Sequence, residues 1–481
     1  MIGAGARARY PERMSNELWR CSASELARRI VAREASSREV VEAHLARIAQ
    51  VEPALNAITR VLADDARAAA DAADAALARG DATGPLHGVP FTVKENVDVT
   101  GSPTTQGLVA LADAIPAIDA PVVERMRRAG AIPIARTNMP DLGLRVHTHS
   151  SLHGPTRNPW HLDHTTGGSS GGEAAALATG MSPLGLGNDI GGSLRNPAHC
   201  CGIASIKPTT GRVPHASAIP PEDGALASQL MLAEGPMARS VADLRLALSI
   251  LSGPHPRDPF CVPAPLEGPR PAGALRVAVM DEPPGGATSP AVRDAVRAAA
   301  DALSRAGFAV EAATPPDFER IVEVWGSFLV NDMRPLLPIL SGVMGEEAMR
   351  FIDLVMAAHP VLDAAGMSEI LVERHRIARA WSGFQDALPL VLSPVWTEPA
   401  FRAGDDIADG DGAVRTLRLI RCVLPGNLLG LPAAVVPAAV ADGLPIGVQI
   451  TGPRFREDLC LDAAVAIEAA LGARTPIDPR T

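Results

Sequence analysis

The sequence predicts an α/β protein, and three observations carry that expectation. Short β-prone runs recur along the chain, stretches with helical apolar spacing lie between them, and Gly or Pro marks the joints. The balance of 47% hydrophobic to 20% charged residues over 481 positions is that of a globular chain long enough to bury a sizeable core. Its apolar stretches are broken by Gly, Pro or charge short of the roughly 18 residues that a membrane span requires, so a soluble protein with no membrane partner is expected.

Residues Ser22 to Gly80 read as helices. SASELARRIVARE and SSREVVEAHLARIAQVE have helical spacing, and Ser22 with Glu25 and Ser36 with Glu39 fit the reciprocal capping box. GVPFTVKENVDVTG (88–101) is a β-prone run bounded by Gly, which puts Lys94 at or just past the end of a buried strand. Pro121 to Ala135 reads as a helix then a strand, and an irregular segment from Asn138 to Thr166 holds five of the twelve histidines. GGSSGGEAAALATG (167–180) is a Gly/Ser loop running into an Ala-rich helix that stops at Gly180, and the apolar PLGLG leads into a second Gly-rich turn, GNDIGGS. Seven prolines between Ser252 and Gly273 mark an irregular crossing. Beyond it, LRVAVM, AVRDAVRAAADALSRAG and FAVEAA read as strand, helix and strand, Phe318 to Asp386 as helical, and Asn427 to Gly472 as strand-like runs (AAVVPA, IGVQITG) and a final helix.

Lys and Arg number 44 against 54 Asp and Glu, a net charge of −10 with no basic tract, so no nucleic-acid partner is expected. MIGAGARARYPERMSNELW lacks the continuous apolar segment of a secretory signal; residues 1–20 read as an N-terminal extension and the protein as cytoplasmic. The six cysteines form no CxxC pair and read as reduced, buried thiols. Of the 44 basic residues only Lys94 and Lys207 are lysine. Arg keeps its proton in a protein, whereas a buried amine can lose it and act as base or nucleophile, which singles out both positions.

Phosphate loops are excluded, because neither Lys follows a Gly as GxxxxGK[ST] demands and Gly185, Gly187 and Gly191 do not have GxGxxG spacing. Gly167-Gly168-Ser169-Ser170-Gly171 matches GxSxG, but TRNPWHLDHTT stands where a nucleophile elbow needs an apolar strand. His147, His149, His153, His161 and His164 lack HExxH spacing, and neither metal nor other cofactor is expected. What remains suits acyl transfer: the titratable amine of Lys94 and two serines in Gly-rich turns, Ser169 and Ser193.

GVPFTVKENVDVTG, GGSSGGEAAALATG, GNDIGGSLRNPAHCCGIASIKPTTGRVP and GLPIGVQITGP together resemble the amidase signature family, in order and across roughly residues 20–470. The spacing also fits, with 75 residues from Lys94 to Ser169 and 24 from Ser169 to Ser193. The resemblance implies one large α/β domain, 21–475, on a mixed twisted sheet flanked by helices. Within it, 21–252 would hold the helical leader and catalytic core, 253–273 the Pro-rich crossing, 274–425 a second part with a helical substrate-pocket region, and 426–475 the C-terminal strands and helix. It also implies Ser193 as nucleophile, Ser169 as a bridging serine on a cis peptide after Gly168, and Lys94 as base. Ile190, Gly191, Gly192 and Ser193 would form the oxyanion hole, Asp189 and Arg195 with Gly168 and Ser170 would support it, and Lys207 would be structural. The residues make chemical sense in these roles. A serine hydroxyl needs a base to attack an amide, and a Lys, whose ordinary pKa is about 10.4, serves near neutrality only if burial lowers that value. Asn188, where many members have Thr or Ser, and His199-Cys200-Cys201, where an aromatic-Cys-Gly pattern is commoner, depart from the family and bear on the lining of the site.

The implied activity is hydrolysis of C–N amide bonds through an acyl-enzyme. The expected substrates are hydrophobic or aryl amides, extending to esters and carbamates (urethanes), which share a similar tetrahedral intermediate. The partner is then a small-molecule amide or carbamate, with a homodimer left open. The rival is the glutaminase subunit of a tRNA-dependent amidotransferase, which needs protein partners and an ammonia channel; a third reading is an inactive scaffold on the same fold. Apolar and Met side chains between Phe318 and Leu388, among them Trp325, Phe328, Leu337, Met344, Phe351 and Met356, suit an acyl pocket or ordinary core equally well.

Overall fold

The computed structural model describes residues 17–220, 222–270, 272–472 and 474–480, so the first sixteen residues of the expected N-terminal extension lie outside the described residues. One sheet of eleven strands runs through the molecule: β1 (Ile58–Val61), β2 (Pro90–Lys94), β3 (Ile132–Thr137), β4 (Leu184–Asp189), β5 (Ala204–Lys207), β6 (Ala233–Ala238), β7 (Arg276–Val279), β8 (Ala309–Ala312), β9 (Leu390–Pro394), β10 (Ala433–Ala441) and β11 (Leu444–Thr451). Their spatial order is β1-β3-β2-β4-β6-β5-β10-β11-β9-β7-β8. The sheet is mixed: β2 is parallel to both β3 and β4, β7 is parallel to both β9 and β8, and the remaining pairs are antiparallel.

Helices cover both faces, which is why β2, β3, β4, β6, β9 and β11 are buried at every residue instead of alternating with polar positions. Successive side chains feed two cores. In β10, Ala434 and Val436 pack with the Val241–Leu251, Pro290–Arg305 and Glu457–Leu471 helices, whereas Val435 joins the Arg195–Cys201 and Phe318–Met333 helices.

The leader departs from its helical reading at one place. Helices Ala23–Val31, Ser37–Leu55 and Ala63–Arg79 form, but β1 stands between the last two as a four-residue edge strand paired with β3. Ser36 and Glu39 make both bonds of the capping box. At Ser22 only the serine bond forms, because the Glu25 carboxylate pairs with Arg28 and Arg29 instead. The Pro-rich crossing is irregular. Among the described residues no helix is long and apolar enough to cross a membrane.

One topological detail positions the site. The parallel neighbours β2 and β4 run in register with Val93 opposite Leu186, so both end at the same edge of the sheet. Lys94 closes β2 beside Asn188 and Asp189, which close β4, and the Gly-rich turn after β4 leads into the Arg195–Cys201 helix.

Candidate active site

Lys94 is fully buried, and its Nζ donates to Ser169 Oγ at 2.7 Å and to Asn188 Oδ1 at 2.9 Å. Burial lowers its pKa to about 7, with the carboxyl groups of Glu234, Asp189 and Glu173 limiting the fall. Near neutrality this amine can both take and return a proton. Ser169 follows Gly168 through a cis peptide bond in the loop that enters the Gly171–Ala178 helix, and Ser170 sits at that helix's N-cap with a buried Oγ that has no partner among the described residues. Glu173, on the same helix, accepts from Thr92 and from Thr137 at 2.8 Å; burial pushes its carboxyl up to about 8.

The turn carrying Ser193 is held by its carbonyls. Trp325 Nε1 donates to Ile190 O at 3.0 Å, Asn196 Nδ2 to Gly191 O at 3.1 Å and the Asn196 backbone N–H to Gly192 O at 2.6 Å. With the carbonyls tied back, the Gly191 and Ser193 N–H groups have no backbone acceptor among the described residues. The close fit requires glycine. A Cβ on Gly191 would lie 2.7 Å from the Trp325 ring, and Gly192 has φ +95° with Asn196 side-chain atoms at 2.5 Å from a built Cβ. The Gly192 N–H is occupied differently, donating to Asp189 Oδ1 at 2.7 Å. Of the four residues expected to furnish oxyanion donors, Gly192 uses its N–H to close the turn.

Asp189 and Arg195 are fully buried and bonded twice, Nε to Oδ2 and Nη2 to Oδ1, both at 3.0 Å. Asp189 also accepts from Leu194 N at 3.2 Å and from Asn427 Nδ2 at 2.9 Å. Burial alone would raise its pKa, but Arg195, Lys207 and Asn427 outweigh that and hold the carboxyl well below the usual range. Arg195 continues to Asn427 Oδ1 and Val423 O, both at 2.7 Å. Asn427 stands far along the chain from this turn, and no local pattern marked it.

Two cavities meet at Ser193. The wider, of about 560 Å³, is lined by Ser169, Asn188, His215 and Asp332 together with apolar side chains such as Leu329 and Ile339. The narrower, of about 60 Å³, is walled by Trp325, Phe351, Val355, Leu417 and Ile420. The charged side chain in its wall is Arg145, whose Nε and Nη2 bond Asp406 at 2.6 and 2.9 Å and whose Nη1 bonds Glu347 at 2.7 Å. Trp325 and Phe351 thus line the narrow cavity from within the same core cluster that holds Phe328, Met344 and Met356, which line neither cavity. Of the two departures from the family pattern, Asn188 lines the site and His199-Cys200-Cys201 does not. His199 packs on Trp396 with centroids 5.4 Å apart, and both cysteines are fully buried.

Lys207, equally buried, donates from Nζ to Pro208 O at 2.8 Å and lines neither cavity. The five clustered histidines disperse to different partners: His147 to Thr165, His149 to Glu347 and His153 to Glu95, while His161 and His164 pack edge to face.

Residues 39–461 match the family model for amidases. The chain belongs to the amidase signature family. It is 42% identical to an indoleacetamide hydrolase of Bradyrhizobium diazoefficiens over 95% of this chain and 87% of that enzyme. It is also 34% identical to a glutamyl-tRNA(Gln) amidotransferase subunit of Acidothermus cellulolyticus over 96% of both chains. Among solved structures, a bacterial aryl acylamidase of the same family superposes with a TM-score of 0.82 at 28% identity, over 94% of this chain and 96% of that one. The protein is therefore an amide hydrolase.

Proposed function

We propose that Ser193 is the nucleophile of this amide hydrolase, Ser169 its proton carrier and Lys94 the base, and that the substrates are hydrophobic amides with an aromatic group. The observation that carries this reading is the buried Lys94 amine, brought to about 7 and bonded to Ser169 at the wall of a cavity that Ser193 shares. Ser193 attacks the carbonyl as its proton passes through Ser169 to Lys94. The same route then returns the proton to the departing amine, and water repeats the sequence to free the acid. The N–H groups of Gly191 and Ser193, with Ile190 alongside, receive the developing oxyanion; each such donor is typically worth about 10² to 10³ in rate. Asp189 and Arg195 hold that turn.

Ser169 lines the wider cavity, so the amine portion lies there and the acyl portion turns toward the apolar walls of Trp325 and Phe351. The likeness to an indoleacetamide hydrolase and an aryl acylamidase supports aromatic amides, and esters and carbamates follow because they share the tetrahedral intermediate. Six free cysteines suit a cytoplasmic setting.

The glutaminase-subunit reading draws on the 34% identity to the Acidothermus amidotransferase chain. Against it, glutamine carries an ammonium and a carboxylate that need partners, and Arg145 in the narrow cavity is already engaged at all three nitrogens. The Lys94–Ser169 pair speaks against an inactive scaffold. The test is turnover of glutamine, an anilide, an ester and a carbamate built on one aromatic amine or alcohol, by wild type and Ser193→Ala. Cleavage of anilide or carbamate by wild type alone is expected; turnover of glutamine with silence on the rest would establish the rival, and an active Ser193→Ala would refute the nucleophile.

A further inference from the structure

A line of polar side chains reaches Lys94 on a side that its bond to Ser169 does not use. At the wall of the wider cavity stands His215, whose side chain is 43% exposed and whose Nδ1 lies 2.8 Å from Glu234 Oε1. Glu234 is buried on β6 directly across the sheet from Asn188 on β4, and its Oε2 has no partner among the described residues. Asn188 Nδ2 donates to Glu234 Oε1 over a long 3.5 Å, while Asn188 Oδ1 accepts from Lys94 Nζ at 2.9 Å and from Asn96 Nδ2 at 3.2 Å.

A carboxamide has a donor end and an acceptor end, and an ionised carboxylate only accepts. Glu234, together with Asn96 donating to the same oxygen, therefore sets which way Asn188 faces: nitrogen to the carboxylate, oxygen to the amine. Turned the other way, the Asn188 oxygen would oppose Glu234 and its NH₂ would oppose Lys94. The consequence falls on the amine. Neutral lysine has two N–H bonds and one lone pair; directing an N–H at Asn188 Oδ1 leaves the lone pair for the Ser169 hydroxyl.

We propose that Glu234 is a positioning residue for the Lys94 base, orienting Asn188 and setting a negative charge behind the amine, and that His215 governs how much of that charge Lys94 feels. This rests on the reading of Lys94 as base. Three carboxyl groups face Lys94: Glu234 from β6, Asp189 from β4 and Glu173 from the Gly171–Ala178 helix. Glu234 exerts the largest of these three influences on the amine, Asp189 is paired with Arg195, and burial pushes the Glu173 carboxyl up to about 8, so Glu234 is the carboxyl whose effect a neighbour such as His215 can compensate. His215 in turn faces Glu234, Asp258 and Asp98. Partial desolvation at the cavity wall opposes charge on the ring, but the Glu234 bond and these acidic neighbours outweigh it and raise the His215 pKa, which favours a positive charge facing Glu234.

Removing either partner then moves the base in opposite directions. In Glu234→Gln the lysine loses a stabilising charge, so the acidic limb of kcat/KM shifts to lower pH by about one unit, and kcat at the plateau falls because Gln no longer forces the orientation of Asn188. In His215→Gln the Glu234 charge is uncompensated and the limb shifts to higher pH. The experiment is the pH profile of both variants, with melting temperatures, on whichever amide of the matched panel wild type cleaves fastest. Opposite shifts are expected. Limbs that coincide with wild type, or that move in the same direction, would overturn the proposal; His215 lies at a solvent-facing wall, so its variant decides the matter even if Glu234→Gln folds poorly. Lys94→Ala separates the two levels: residual activity with an unchanged limb would defeat the assignment of the base itself, whereas an inactive Lys94→Ala with unmoved limbs in the other two would defeat only the role of Glu234 and His215.

Discussion

Lys94 and Lys207 are the two lysines of the chain, both fully buried, and burial brings both amines down to about 7. Their surroundings differ in what they offer. Lys94 faces a hydroxyl and a carboxamide at the edge of a cavity, whereas Lys207 sits among Arg195, Asp189, Arg454 and Glu457 with its hydrogen bond to the carbonyl of the next residue. A carbonyl can neither give nor carry a proton, so one amine can exchange protons with a substrate and the other serves the packing beneath the turn. A depressed pKa marks burial; the group at hydrogen-bond distance decides what that burial is for.

The contrast can be broken most forcefully by exchanging the amines for carbon. Lys94→Ala is expected to lower kcat/KM by about 10² to 10⁴, the usual worth of a positioned base, while Lys207→Met should keep it within about tenfold and register mainly in thermal unfolding. Comparable losses in both folded variants would erase the distinction. The next effect is in pH. As the proposed base, Lys94 acts in its neutral form, so wild-type kcat/KM should fall by about tenfold per unit as pH drops below about 7. Because Lys207 titrates in the same range, the profile alone cannot assign the limb; a limb that persists in Lys207→Met and vanishes from the residual activity of Lys94→Ala does. The smallest effect concerns the turn above the pair. Trp325→Phe keeps a ring against Gly191 but removes the donor to Ile190 O, and a loss of about three- to tenfold in kcat is expected from steady-state kinetics. An unchanged kcat would mean that the turn holds without that bond.

Much of this was legible in the chain because the informative residues are either periodic or contiguous. The long helices announced themselves by spacing, and the Gly-rich segments around Ser169 and Ser193 by composition. The structure then gathers Lys94, Ser169 and Ser193 around one cavity region. Strands such as β5 and β9 went unread because four or five residues buried on both sides show no alternation. Pairings across distant segments left no local trace, among them Asn427 with Asp189, Arg145 with Asp406, and Glu234 with Asn188. Gly192 teaches a related limit. Its place in the turn was readable, but the direction of its N–H depends on Asp189 folding back over it.

Two of the stretches of chain that meet at Ser193 differ in kind. Lys94, Ser169, Asn188 and Ser193 sit on or beside β2 and β4, whereas Trp325, Leu329, Phe351 and Val355 lie on helices between Phe318 and Ala357 that contribute no strand to the sheet. Random mutagenesis confined to those helices should therefore redraw the range of accepted amides while leaving the pH response of turnover intact, which makes them the segment through which an ancestor of this protein could adopt new substrates without reinventing its chemistry.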